Sequence, residues 1–459
     1  MEVVNVHNKN TIRSKVDLLI ENYSVWKYLY KLLLLVFITA CLIIFFANDY
    51  SPVTGYVSSS IIYFFSTIIA SLIFLRTRRW AYFFSIVYLV RLIIGFLFYL
   101  VFLDPNYFSS TGTNVMMHSE YQAVYDFVYN IINGGNIPLL YDTSTLTHKE
   151  IWIFISTIQK PFGAYLLNIS PMNSFFSVLI TINLILISKY CMKLSAMKVR
   201  YIAVIVAYIP FTLISSNFYR DITGIALMSI ALTLLMFSKN RFITLIMMTV
   251  GSLLFYLQRT PYVLILPFSY IALIILSQYK YKNSRVGIFS YVIVSILLAI
   301  IIPNFITLID NEANEEYLSG AMNVNYLYYP IKFVLGLIGP FPWNQWEGNP
   351  NQIPLYFQGV LNLSILIYLI TNFRKYIRFR NFDLLVISGF MLLLIGLFTT
   401  MMHVSYVSIG VLFIIPWLIK SINFTKFKRV FLFSFVFLLF LNVFVIVFFG
   451  NLGISSLWK

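Results

Sequence analysis

Thirteen apolar stretches of roughly membrane-crossing length follow one another along this chain. They lie near residues 30–48, 57–75, 80–103, 173–190, 201–217, 222–238, 242–258, 262–278, 286–308, 356–372, 384–400, 405–419 and 430–450. A water-soluble fold has nowhere to put them. Of the 459 residues, 60% are apolar and 10% charged, whereas ordinary soluble domains carry about 25% charged residues. Surface does not shrink fast enough with chain length for the remaining polar groups to cover such a fold. Hydrocarbon must therefore solvate most of it. Each run is continuous, unlike the alternating segments of about ten residues in a membrane β-barrel. Each is also close to the ~20 residues a helix needs to cross the bilayer core with its backbone satisfied internally. The expected fold is all-α: a polytopic transmembrane helical bundle of about 13 spans, with 1–459 as a single integral membrane domain. The first run follows a polar lead and has no small-residue cleavage site after it, so it reads as an uncleaved span.

Charge orients the bundle. A net charge of +16 would suit a nucleic-acid binder, but the positive-inside rule accounts for it without one. Basic clusters fall at Lys9–Lys31, Arg76–Arg79, Lys189–Arg200, Lys239–Arg241, Lys280–Arg285, Arg374–Arg380 and Lys420–Arg429. They hold 25 of the 32 Lys and Arg, and all land on one side when the thirteen runs are counted in order. Of the 16 acidic residues, 12 land opposite, leaving Glu2, Asp17, Glu21 and Asp383 inside. The N-terminus is thus expected in the cytoplasm and the C-terminus outside.

Two outer connections are long, 104–172 and 309–355, and are expected to hold short or re-entrant helices. In the first, His118–Ile132 has apolar residues at helical spacing before Gly134-Gly135-Asn136 breaks it. The stretch 151–167 is apolar but carries Gln159, Lys160 and Pro161, and counting it as a span would invert every later basic cluster. It is expected to be re-entrant or to lie on the bilayer surface. The second loop holds Tyr326–Tyr329 and Gly339-Pro340-Phe341-Pro342-Trp343, an aromatic and proline-rich string suited to the interface. No internal repeat and no phosphate-binding glycine loop occurs, which argues against an ATP-driven pump. Cys41 and Cys191 lie on different spans, so no disulfide framework or metal spacing is available.

The informative charges are those that break the topology rule. Arg91 sits in mid-span, where insertion scales put its cost at about 2.5–3.5 kcal/mol, so it needs a partner or an aqueous cavity. Arg220 and Asp221 stand together at an outer mouth, and Arg259 marks another outer hairpin. Asp221 could simply cap the following helix and Arg220 snorkel; alternatively the arginines offer planar forks to phosphate oxygens. Proton-transfer candidates on the outside are His403, Asp221, Glu120 and Asp126, with His118 weaker. No His, Asp or Glu cluster has metal-ligand spacing; the acidic loop at Asp310, Glu312, Glu315 and Glu316 reads as a solvated face. Outer-loop aromatics, among them Tyr121, Tyr125, Tyr328 and Trp343, would serve either an interfacial belt or stacking on sugar rings.

The overall plan over nearly the whole chain resembles the Wzy-type polysaccharide polymerases, GT-C-like integral membrane glycosyltransferases that polymerise O-antigen or capsule repeat units in bacterial inner membranes. The resemblance is carried by Tyr219-Arg220-Asp221 opening a span, by Gly339–Trp343 ahead of a span, and by His403–Tyr406 leading to Pro416. It implies a multi-pass protein of the bacterial inner membrane that joins undecaprenyl-diphosphate-linked oligosaccharides, donor and acceptor, without metal or cofactor. Membrane lipids and a chain-length regulator are its implied partners. Arg220, Arg259 and Arg91 would engage the diphosphate; His403, Asp221, Glu120 or Asp126 would take the proton. A repeated Arg-plus-Gly signature in the two long loops is missing, which leaves donor and acceptor sides open. An O-antigen ligase or a polyprenyl-phosphate-dependent glycosyltransferase shares much of this plan. A Wzx-type flippase, with two similar halves and short outer loops, fits less well.

Overall fold

The computed structural model describes residues 24–46, 52–102, 149–163, 166–210, 221–258, 260–279, 352–372, 383–398 and 404–449. Among the described residues the chain is helical, with no strand. The helices are α1 (Val25–Phe46), α2 (Pro52–Leu75), α3 (Arg78–Phe102), α4 (Lys149–Gln159), α5 (Ile169–Leu186), α6 (Ala196–Tyr208) and α7 (Asp221–Phe237). They continue as α8 (Arg241–Gln258), α9 (Ile265–Tyr279), α10 (Gln352–Thr371), α11 (Leu384–Phe398), α12 (Val404–Ser421) and α13 (Phe424–Phe449). Five of them, α1, α2, α3, α5 and α8, are long and apolar enough to cross a membrane. Every helix but α4 falls on one of the apolar runs read from the sequence, while the run 286–308 lies outside the described residues, as does His118–Ile132.

Two helices make the centre. Every residue of α5 is buried, and every residue of α7 except Met236. Around this pair, α2, α3 and α6 pack on α5, α8 packs on α7, and α1 closes against α2 and α7. The remaining helices extend the bundle: α9 bridges α8 and α11, α11 pairs with α12, and α10 sits between α12 and α13. The perimeter is apolar, with Phe37, Ile44, Tyr82 and Phe440 each more than 60% exposed on α1, α3 and α13. That surface matches hydrocarbon rather than water.

Polar groups inside the bundle are paired across helices. Tyr28 on α1 donates to Asn183 Oδ1 on α5 at 2.8 Å, and Asn183 Nδ2 donates to Ser229 Oγ on α7 at 2.8 Å. Nearer the other end of the central pair, Thr223 Oγ1 donates to Asn173 Oδ1 at 3.1 Å. An amide left alone in an apolar medium costs several kcal/mol, about 2–7 by reference state, so these links fix which faces meet. Isolated hydroxyls satisfy themselves on the preceding turn, as Ser71, Thr181, Ser188 and Thr233 do.

Helix starts follow short-range rules. Ser24, Asn240, Asp383 and Asn423 accept backbone N–H groups of Lys27, Phe242, Val386 and Lys426 at 2.9–3.3 Å, supplying partners for amides the helix cannot satisfy itself. Asp383 is half-buried, and burial pushes its carboxyl up to about 6 against the opposing pull of the Val386 amide and Lys420. With the folded value raised, its stabilising contribution is complete below the ordinary carboxylate range, about pH 4, and is lost as pH rises through about 6. An Asp383→Asn variant keeps the cap and removes the titration. It should melt no lower than wild type at pH 7.5 and show a flatter melting profile between pH 4 and 7; a lower melting point at pH 7.5 would contradict this.

Two expectations about local structure need correcting. The run 201–217 is not one uninterrupted helix: α6 ends at Tyr208, and Ile209 is extended (φ −61°, ψ 131°). Pro210 is the cause, because a proline ring disfavours helical backbone at the residue before it. The stretch 151–167 does not simply lie on a surface. Its α4 packs against α7 and α8, burying Ile151, Trp152, Ile155, Ser156 and Gln159. Those positions form one helical face, and 3-10 turns at Lys160–Phe162 and Leu166–Asn168 then lead into α5.

Candidate functional site

Of the residues singled out in the sequence, Arg91 and Asp221 lie among those described. His403, Glu120, Asp126, Arg220, Arg259, Tyr121, Tyr125, Tyr328 and Trp343 lie outside them.

Arg91 is fully buried in the middle of α3. Its guanidinium donates to Ser177 Oγ on α5 at 3.0 Å and to the backbone carbonyl of Ala207 on α6. The second contact follows from the break after Tyr208. A carbonyl in the last turn of a helix has no intrahelical donor, and the helix C-terminus carries partial negative charge. Arg91 supplies both the donor and the positive charge, joining α3, α5 and α6 at one point. The sequence flagged this arginine by its cost, and the broken helix shows what the cost supports.

Asp221 is the first residue of α7 and is 9% exposed. Rather than serving only its own helix, its carboxylate crosses to α8, where Oδ1 accepts from Gln258 Nε2 at 2.9 Å. Gln258 is fully buried and ends α8. It can reach because α7 has a glycine at position 224: a Cβ there would run into the Gln258 carboxamide, its Oε1 first. Two residues further along α7, Thr223 donates to Asn173 of α5, so α7 is tied to both α5 and α8 in its first turn.

The start of α5 carries a second group of buried amides. Gln159 Nε2 donates to the Asn168 carbonyl at 3.0 Å, and Asn168 Nδ2 donates to the Phe162 carbonyl at 2.7 Å. Phe162 itself presses on Gly55 of α2. The side-chain oxygens of Gln159, Asn168 and Gln258, with the hydroxyls of Ser170 and Ser174, are buried and have no hydrogen-bond partner among the described residues. Three of these are amide oxygens that can only accept, and two are hydroxyls that can also donate. Sequence reading passed over Gln258, Gly224 and Asn168, and noted Gln159 only as a polar residue in an apolar stretch. Their signal was polar amides at the margins of apolar runs, which a search confined to charges passes over. Among the described residues no group of three or more His, Cys, Asp or Glu could hold a metal ion.

No protein-family model matches the chain, and neither the curated proteins nor the solved structures contain a match.

Proposed function

We propose that this chain is an integral-membrane glycosyltransferase of the bacterial inner membrane that polymerises undecaprenyl-diphosphate-linked oligosaccharide units on its outer face. The observation that carries the reading is Asp221, a buried carboxylate held across helices at the start of α7. In sequence it directly follows Arg220. By the charge count, this end faces outward, away from the basic clusters. A carboxylate can take a proton from a sugar hydroxyl, and a neighbouring arginine can stabilise a departing diphosphate. Arg259 directly follows Gln258 in sequence, and this reading assigns its guanidinium to the same diphosphate. A chain-length regulator would act from outside the bundle, and the chemistry calls for no metal or cofactor if the arginines neutralise the leaving group.

Deleting the gene tests this reading in cells. The surface glycan should shrink to a single repeat unit, with single units accumulating on the lipid carrier. Long lipid-linked chains that never reach the surface would identify a ligase instead. Units stranded on the cytoplasmic face would identify a flippase. Returning Arg220→Ala or Arg259→Ala to the deletion strain should leave protein levels intact and fail to restore chain extension; normal chain lengths would remove both arginines from the diphosphate site.

A further inference from the structure

We propose that Asp221 is the proton acceptor for the attacking sugar hydroxyl and that Gln258 is the residue that positions it. The proposal rests on the polymerase reading above and selects one group from the four that the sequence offered for proton transfer.

The geometry has three parts. Gln258 Nε2 donates to one carboxylate oxygen of Asp221 at 2.9 Å. That bond uses one of roughly four acceptor positions on an ionised carboxylate, so the second oxygen keeps its capacity. The carboxamide is in turn fixed from behind: it lies against the bare Cα of Gly224, one turn along α7 from Asp221, and Gln258 is fully buried. A base oriented by a second group, which is itself held by packing, is the arrangement proton transfer requires. Beside Asp221, the side-chain oxygen of Gln258 is buried and has no donor among the described residues. An approaching polyhydroxyl ligand would supply donors. A tie between α7 and α8 for its own sake would need neither a charged acceptor nor a glycine kept clear for the amide. It would be served as well by packed apolar side chains.

In the reaction, the acceptor hydroxyl oxygen forms a bond to the anomeric carbon of the growing chain. The bond from that carbon to the diphosphate oxygen breaks, and its electron pair leaves on undecaprenyl diphosphate. The hydroxyl proton passes to the Asp221 oxygen not engaged by Gln258. One neutral hydroxyl is consumed, the carboxylate becomes a carboxylic acid, and the departing diphosphate gains one negative charge.

The test uses the full chain in membranes of the deletion strain, with the single-unit lipid-linked oligosaccharide extracted from that strain as the probe. Asp221→Asn retains an acceptor for Gln258 Nε2 in the same shape. It should accumulate and melt as wild type does, yet extend chains about 100-fold more slowly or worse, with KM for the probe little changed. Gln258→Leu should slow extension about tenfold through kcat with KM for the probe little changed, and Gly224→Ala should reproduce that split by displacing the amide. Asp221→Asn within about threefold of wild type, or a wild-type kcat in Gln258→Leu, overturns the proposal while the polymerase reading stands. If wild type itself leaves the probe as single units, the reading fails and the proposal with it.

Discussion

An Arg91→Met variant is expected to lose about 3 kcal/mol or more of stability. The hydrogen bonds alone do not account for this, since side-chain bonds between membrane helices average about 0.6 kcal/mol. The loss comes from what remains. The Ala207 carbonyl and Ser177 Oγ both lose the Arg91 donor while staying buried, and each unsatisfied group costs about 1–3 kcal/mol. The end of α6, already freed by the break before Pro210, loses the positive charge that faces it. Arg91→Lys should fall between, because one ammonium keeps the charge but does not fork to both oxygens. Thermal unfolding of the purified protein measures the effect. A wild-type melting point together with lost chain extension would instead return Arg91 to the diphosphate site.

The second large effect belongs to the contact between α11 and α12. At Gly410 an added Cβ would stand 2.6 Å from the Gly389 carbonyl oxygen and 2.9 Å from the Leu393 backbone nitrogen. Both are backbone atoms, so no side-chain rotation can relieve the clash and the helices must move apart. Overpacking of this kind costs about 1–3 kcal/mol, and Gly410→Ala should fall in that range, with Gly410→Val beyond it. Gly389→Ala should cost less. Its nearest neighbours are Ile414 Cγ1 at 2.9 Å and the Gly410 carbonyl oxygen at 3.0 Å, and the isoleucine can yield. Since both glycines serve one approach, the double variant should cost less than the sum of the singles. Equal single effects, or strict additivity, would mean that the two helices do not approach through these glycines.

The helices were the legible part of this molecule because lipid imposes a simple rule: each crossing must be long, apolar and internally hydrogen-bonded. That rule places α1, α2, α3, α5 and α8, with ends that differ by up to five residues, and its exceptions are local. Pro210 interrupts an apolar run that hydropathy alone treats as uniform. The α4 segment is apolar because it packs on α7 and α8, and nothing in its composition distinguishes burial in protein from burial in lipid. Arg91 was visible through its cost, but its partners were not, because a serine and a backbone carbonyl carry no sequence mark. Asp221 was visible as a charge beside a helix start. Its link to Gln258 joins residues 37 positions apart, and Gly224 acquires meaning only once the two helices are set side by side. Asn173, Asn183 and Gln258 were within reach of the sequence: amides inside or at the ends of apolar runs need partners for the same reason that charges do.

The central claim is that the chain transfers a glycan from one lipid diphosphate to another, and reconstitution tests it most directly. The purified full chain in lipid nanodiscs would be given only the single-unit lipid-linked oligosaccharide extracted from the deletion strain, with no nucleotide sugar. A ladder of lengthened lipid-linked glycans, with one undecaprenyl diphosphate released for every unit added, is the result predicted. Unchanged single units with no undecaprenyl diphosphate released would contradict the account.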